Sequence, residues 1–238
     1  MIELSKGSRY FSAITNVWGL SVQKVAVVLS GCGVKDGSEI HESVITFLSL
    51  IRCGAQYDCF APDVSYDTIN HLTNHKDGSV RSALEEGARI ARGAIQNLKD
   101  ANPKEYSAVI FPGGLGAANH LCDFATQGKN CHIHPAVETF CHEMIQAGKP
   151  AGFICIAPVM IPKLYPKGVR LTIGHDQETA AAITAMGGIH VPCDVNAIVT
   201  DEHYKVVSTP AYMLAKDIAE AAEGIEKLVE QVLWLAKL

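Results

Sequence analysis

No stretch of the 238-residue chain reaches 18 consecutive apolar residues, so no membrane span is expected. Positive charge is not in excess either. Lys and Arg number 20 against 25 Asp and Glu, a formal net charge of −5, which argues against nucleic acid or an anionic membrane as partner. None of the eight cysteines (32, 53, 59, 122, 131, 141, 155, 193) forms a C-x-x-C pair, and residues 1–22 lack an apolar h-region. A secretory signal is therefore not expected, and reduced thiols in the cytoplasm are favoured over a disulfide framework. Residues 1–22 carry two basic residues, one acid and several Ser/Thr, which leaves a mitochondrial transit peptide or a packed extension open. Cys131, His132 and His134 lie close together, but Cys-His-x-His matches no common zinc spacing, and no metal is expected. There is no internal repeat. One domain over residues 23–238, preceded by an extension at 1–22, accounts for the chain, which at 48% hydrophobic is globular.

What is present centres on Lys149-Pro150-Ala151-Gly152-Phe153-Ile154-Cys155-Ile156-Ala157-Pro158. Gly148 and Pro150 stop a helix, and a short apolar run then has the look of a strand buried on both faces. Cys155 stands where that run turns into a helix, with Ala157, Met160, Ile161 and Leu164 at helical spacing. A strand-to-helix turn holding one nucleophile is an elbow: the side chain projects above the sheet and the next N–H faces any oxyanion. A helix N-terminus behind it would lower the thiol pKa. The other reading of Cys155 is a small buried hydrophobe.

Earlier in the chain, Lys24–Ser30 reads as the first buried strand, ending in Gly31-Cys32-Gly33, and Asp36 opens a helix to about residue 53. Ile40, Val44, Phe47, Leu48 and Ile51 form its expected apolar face. Glu39, three residues after Asp36, has capping-box spacing, whereas Glu42 has no capping role. Glu42 is either on a solvated helix face or a carboxyl near the mouth of strand one, where open α/β sheets place their ligands. Residues 55–62 form a second strand, and 63–106 a long polar excursion with a helix from about Val80 to Leu98. Ala108–Phe111 is a third strand ending in Pro112-Gly113-Gly114, whose adjacent glycines let backbone N–H groups approach a ligand as oxyanion contacts. Beyond the elbow come a strand at 169–173, a hairpin around Asp201–Tyr204 and a terminal helix over 211–238. Strands alternating with helices give an α/β fold, a parallel sheet with helices on both faces.

Ser30-Gly31-Cys32-Gly33-x-x-Asp36-Gly37-Ser38-Glu39-Ile40-His41-Glu42, Phe111-Pro112-Gly113-Gly114 and Ile154-Cys155-Ile156-Ala157-Pro158 resemble the ElbB family, the enhancing-lycopene-biosynthesis or sigma cross-reacting proteins. Further matches lie at Ala88–Gly93 and at Thr209-Pro210-Ala211-Tyr212-Met213, so the resemblance runs from about residue 24 to the end. It implies the PfpI-like, class I glutamine amidotransferase-like superfamily. That membership brings a flavodoxin-like αβα sandwich, a homodimer, no cofactor, and glutathione-independent glyoxalase activity, which has also been read as deglycation. By position, Cys155 matches the nucleophile and Glu42 the acid hydrogen-bonded to it, and Gly114 and Ile156 match the oxyanion donors.

The sequence departs from the superfamily in two ways. Phe153 replaces the small residue usual two positions before the cysteine, and no His-x-Glu follows Cys155, which speaks against glutamine hydrolysis. His175 lies one residue out of register with a histidine some relatives use, and with Glu39 and Cys32 it is at most auxiliary. The resulting expectation is a Cys155 hemithioacetal with a small reactive carbonyl, glyoxal or methylglyoxal, with a tie to isoprenoid metabolism. The alternative is a regulatory protein whose oxidisable Cys155 acts as a redox sensor.

Overall fold

The structure, a computed structural model, describes residues 22–238. The expected extension at 1–22 lies outside the described residues but for Val22. Eleven strands and eight α-helices occur among them. The strands are β1 (Lys24–Val28), β2 (Gln56–Ala61), β3 (Ser65–Asn70), β4 (His75–Ser82), β5 (Ile95–Asn97), β6 (Ala108–Phe111), β7 (Ala151–Ile154), β8 (Arg170–Leu171), β9 (Ile189–His190), β10 (Val199–Asp201) and β11 (Val206–Thr209). The helices are α1 (Ile40–Arg52), α2 (Ala83–Ile90), α3 (Leu115–Asn119), α4 (Phe124–Gln127), α5 (Pro135–Gln146), α6 (Ile161–Leu164), α7 (Gln177–Ala185) and α8 (Ile218–Leu235). No described helix is long and apolar enough to cross a membrane.

Seven strands form one sheet in the order β10-β11-β7-β6-β1-β2-β5, parallel except for the antiparallel β10–β11 edge. Its middle, β2-β1-β6-β7-β11, is the flavodoxin-like order, and the strand sequence reverses direction between β1 and β6. β1 is buried throughout from Val25 to Val28, as a central parallel strand must be when helices cover both faces. Val25 and Val27 join Ile45 and Leu50 of α1 and Ile225, Leu228 and Val232 of α8 in one core. Ala26 and Val28 join Phe111, Phe153, and Phe140 and Met144 of α5 in the other. This is a three-layer αβα sandwich.

Several local expectations change. The excursion at 63–106 is a twisted β3–β4 hairpin, then a short α2 and the edge strand β5, so the helix expected from Val80 to Leu98 is confined to Ala83–Ile90. Val80 sits on a strand with 64% of its surface exposed, and Arg92 and Gly93, both at positive φ, end the helix. The terminal helix starts at Ile218 rather than 211, capped by Asp217, whose carboxylate accepts from the N–H groups of Ala219 and Glu220. The strand at 169–173 contracts to a two-residue pairing of β8 with β9.

The first helix also differs. It begins at Ile40 rather than at Asp36, whose carboxylate instead accepts from Ile69 N at 2.6 Å. Its face is rotated: Ile40, Val44, Leu48 and Ile51 are exposed, while Glu42, Ser43, Thr46 and Ser49 are buried beside Ile45, Phe47 and Leu50. The hydroxyls tolerate burial because each donates to the carbonyl four residues back: Ser43 to Glu39, Thr46 to Glu42 and Ser49 to Ile45, all at 2.7 Å.

Candidate active site

The carboxyl ends of β1, β6 and β7 converge, and each delivers one part of the site. β7 runs straight into Cys155, whose φ of +63° is left-handed in a residue other than glycine. Its N–H donates to Thr209 O at 2.9 Å, so the end of β11 pins the turn. The segment behind the cysteine is a 3-10 turn (Ala157–Met160) leading into the four-residue α6, because Pro158 and Pro162 deny it continuous backbone donors.

β6 ends in Gly113-Gly114. Gly113 N donates to Glu42 Oε2 at 2.9 Å, and Gly113 O accepts from Glu39 N at 2.9 Å, which ties β6 to the start of α1. A Cβ on Gly113 would collide with both Cys155 Cβ and Glu42 Oε2, so the position between the two side chains admits only glycine. Gly114, at φ +91°, turns its N–H towards Cys155, and Ile156 N does the same from the far side.

Glu42 is buried completely, and its carboxyl lies beside Cys155, the two side chains meeting over Gly113. Its other oxygen, Oε1, accepts from Tyr212 N at 3.3 Å. Burial, and then the charge of Glu39, push its pKa up to about 8 against the pull of these donors, so the carboxyl is largely protonated at neutral pH. Burial also pushes the Cys155 thiol well up, and a charged Glu42 adds to this, while the N–H groups of Gly114 and Ile156 pull the other way. The expected depression by a helix N-terminus is therefore reversed, since a four-residue helix supplies little dipole and the cysteine is buried. The pair titrates as one unit, and a thiolate there is held by a protonated carboxyl and two backbone donors.

The auxiliary positions separate. Glu39 is the N-cap of α1, its carboxylate accepting from Glu42 N at 2.7 Å, so it caps the helix itself rather than answering Asp36. Cys32 lies on the other side of the β1 turn, where burial and Glu86 raise its thiol among Arg89, Asp36 and Arg81. His175 is exposed beside His190, whose protonation it disfavours, and makes no hydrogen bond to Glu42 or Cys155. Cys131, His132 and His134 do not converge: they face Met186, Asp123 and the Ala136 N–H respectively. Among the described residues no group of three or more His, Cys, Asp or Glu side chains is arranged to hold a metal ion. The residues missed from sequence are Thr209 and Tyr212, which act through their backbones, and His41, whose Nδ1 lies 2.7 Å from Tyr212 Oη.

No family model matches the chain. It is 44% identical over 223 residues to the glutamine amidotransferase-like class 1 domain-containing protein 3, mitochondrial, of Homo sapiens, covering 89% of this chain and 83% of that protein. The chain belongs to the glutamine amidotransferase-like class 1 domain family. Among solved structures, an isoprenoid biosynthesis protein with amidotransferase-like domain from Ehrlichia chaffeensis superposes with a TM-score of 0.83 at 32% identity, over 90% of this chain and 99% of that one. Glyoxalase III from Candida albicans shares the fold, with a TM-score of 0.60 at 15% identity over 90% of this chain and 97% of that one. In this family member, the flavodoxin-like sandwich presents the cysteine at the carboxyl end of the interior strand β7, where such folds hold their ligands.

Proposed function

We propose that the protein is a cofactor-independent glyoxalase acting on glyoxal or methylglyoxal. The observation that carries this reading is the strained Cys155 turn, with the buried Glu42 carboxyl beside the thiol and the N–H groups of Gly114 and Ile156 turned towards it. Cys155 sulfur bonds to the aldehyde carbon, and the carbonyl oxygen takes up the thiol proton, giving a hemithioacetal whose developing oxyanion meets those two donors. Glu42 gives its proton to the neighbouring carbonyl oxygen and takes the one on the hemithioacetal carbon, forming an enediol, then delivers that proton to the second carbon while taking up the proton of the hemithioacetal hydroxyl. This leaves a thioester of a hydroxy acid. Water cleaves the thioester, releasing glycolate from glyoxal or lactate from methylglyoxal and returning the thiol. Carbonyl plus water equals product, with no external oxidant or reductant.

The sequence resemblance to ElbB proteins supports the same chemistry. The Ehrlichia chaffeensis relative's name supports a tie to isoprenoid biosynthesis, and the human relative's name supports a mitochondrial location in place of the cytoplasmic one. A homodimer is part of the proposal through the ElbB resemblance. The burial of Cys155, only 7% exposed, favours a second reading, in which the chain binds or regulates and turns nothing over. Steady-state assay of freshly purified protein with glyoxal separates the two. Glycolate formation that disappears in Cys155→Ala, with the thermal midpoint within a few degrees of the parent, is the expected result. Activity persisting in Cys155→Ala would exclude the scheme.

A further inference from the structure

The segment Thr209-Pro210-Ala211-Tyr212-Met213 holds both members of the pair at once. Thr209 O accepts from the Cys155 N–H at 2.9 Å, and the Tyr212 N–H donates to Glu42 Oε1 at 3.3 Å. Between these two anchors, Ala211 sits at φ +41°, a left-handed backbone that alanine resists and that persists only where surrounding contacts over-determine it. One such contact is visible. Tyr212 Oη lies 2.7 Å from Nδ1 of His41, and the two rings approach to 5.8 Å between centroids. His41 precedes Glu42 on α1, so this side-chain bond fastens the segment to the same helix that carries the acid.

We propose that Tyr212 is a positioning residue for the pair, its phenol tied to His41 so that the strained Ala211 turn keeps the Tyr212 N–H on the Glu42 carboxyl. The inference rests on the function proposed above only in naming which reaction the pair serves; the geometry of the tie stands without it. The Tyr212 N–H favours the ionised carboxylate, and so does Gly113 N–H, against burial and the charge of Glu39. The titratable groups facing Glu42 are Glu39 and His41 on its own helix, Cys155 from β7 and Tyr212 from the loop after β11. Cutting the phenol–imidazole tie lets the Ala211 turn relax towards negative φ and withdraws the N–H, so Glu42 becomes harder to ionise. A glycine at 211 adopts positive φ without strain and needs no tie to stay in place.

The test removes the thiol so that only the carboxyl titrates. In Cys155→Ala protein, the infrared band of the protonated Glu42 carboxyl, identified by its loss in Cys155→Ala/Glu42→Gln, is followed against pH. Adding Tyr212→Phe is expected to move its midpoint up by about one pH unit. His41→Ala, a change at an exposed residue, is expected to do the same, with no further shift when the two are combined. Ala211→Gly added to Tyr212→Phe is expected to bring the midpoint back, a rescue that general loosening of the fold would not produce. A midpoint unmoved by both Tyr212→Phe and His41→Ala overturns the proposal. This readout needs no turnover, so an inactive parent protein would defeat the glyoxalase reading and leave the positioning role standing.

Discussion

At the scale of single residues, the sequence makes the nearness of Cys155 and Glu42 legible and leaves their energetics hidden. Cys155 and Glu42 stand out because a strand-to-helix turn and a helix start each carry a reactive group without another duty, and the structure places them in contact. Burial is what sequence conceals. It lifts Glu42 to about 8, far above the ordinary glutamate value near 4.3. The sign of the consequence is definite. A carboxyl whose folded pKa lies above its unfolded one binds its proton more tightly in the native state. Its stabilising contribution is complete below about pH 4.3 and is lost as the pH rises through about 8. Denaturant midpoints measured across that window should therefore fall more steeply for the parent than for Glu42→Gln, whose side chain does not titrate. Parallel curves would mean that Glu42 ionises normally in the folded protein.

Secondary elements were legible where apolar periodicity and burial agree, as in β1, β6, β7 and most of α8. They are obscured where polar residues bury themselves. The inward face of α1 carries Ser43, Thr46 and Ser49, whose hydroxyls are satisfied within the helix, so apolar periodicity points to the wrong face and the more apolar stripe faces out. The hairpin of β3 and β4 is hidden in the sequence because most of its residues are exposed and lack an alternating apolar pattern. Glu39 illustrates a role visible in outline only: its spacing signals a cap, while its partner, the Glu42 N–H, does not show in the sequence. Because Glu39 both caps α1 and repels Glu42, Glu39→Gln should cost about 1 kcal/mol of stability or less and lower the Glu42 midpoint. Turnover of glyoxal should fall far less than in Glu42→Gln, and thermal melting with parallel rate measurements decides between them. Equal losses of rate would make the cap a working part of the reaction.

For the whole molecule, alternation of strands and helices was enough to reach the layered fold, because parallel strands need crossover helices and both sheet faces need cover. What alternation does not encode is the outer surface. The proposed homodimer comes from the ElbB resemblance, and the structure adds an apolar stripe that such an assembly can cover: Ile40, Val44, Leu48 and Ile51 recur along the outward face of α1, each 43–58% exposed. They lie on the same helix as Glu42, so pairing through this face would also steady the acid's helix. A charge at the centre of the stripe is the sharpest probe, since a buried unpaired carboxylate is costly while an exposed one on a monomer is nearly free. Leu48→Glu should leave the fold and thermal midpoint of the dilute protein close to the parent's and shift sedimentation at micromolar concentration from dimer to monomer. A parent that sediments as a monomer would remove the homodimer, and a Leu48→Glu variant that remains dimeric would move the interface to another face of the sandwich.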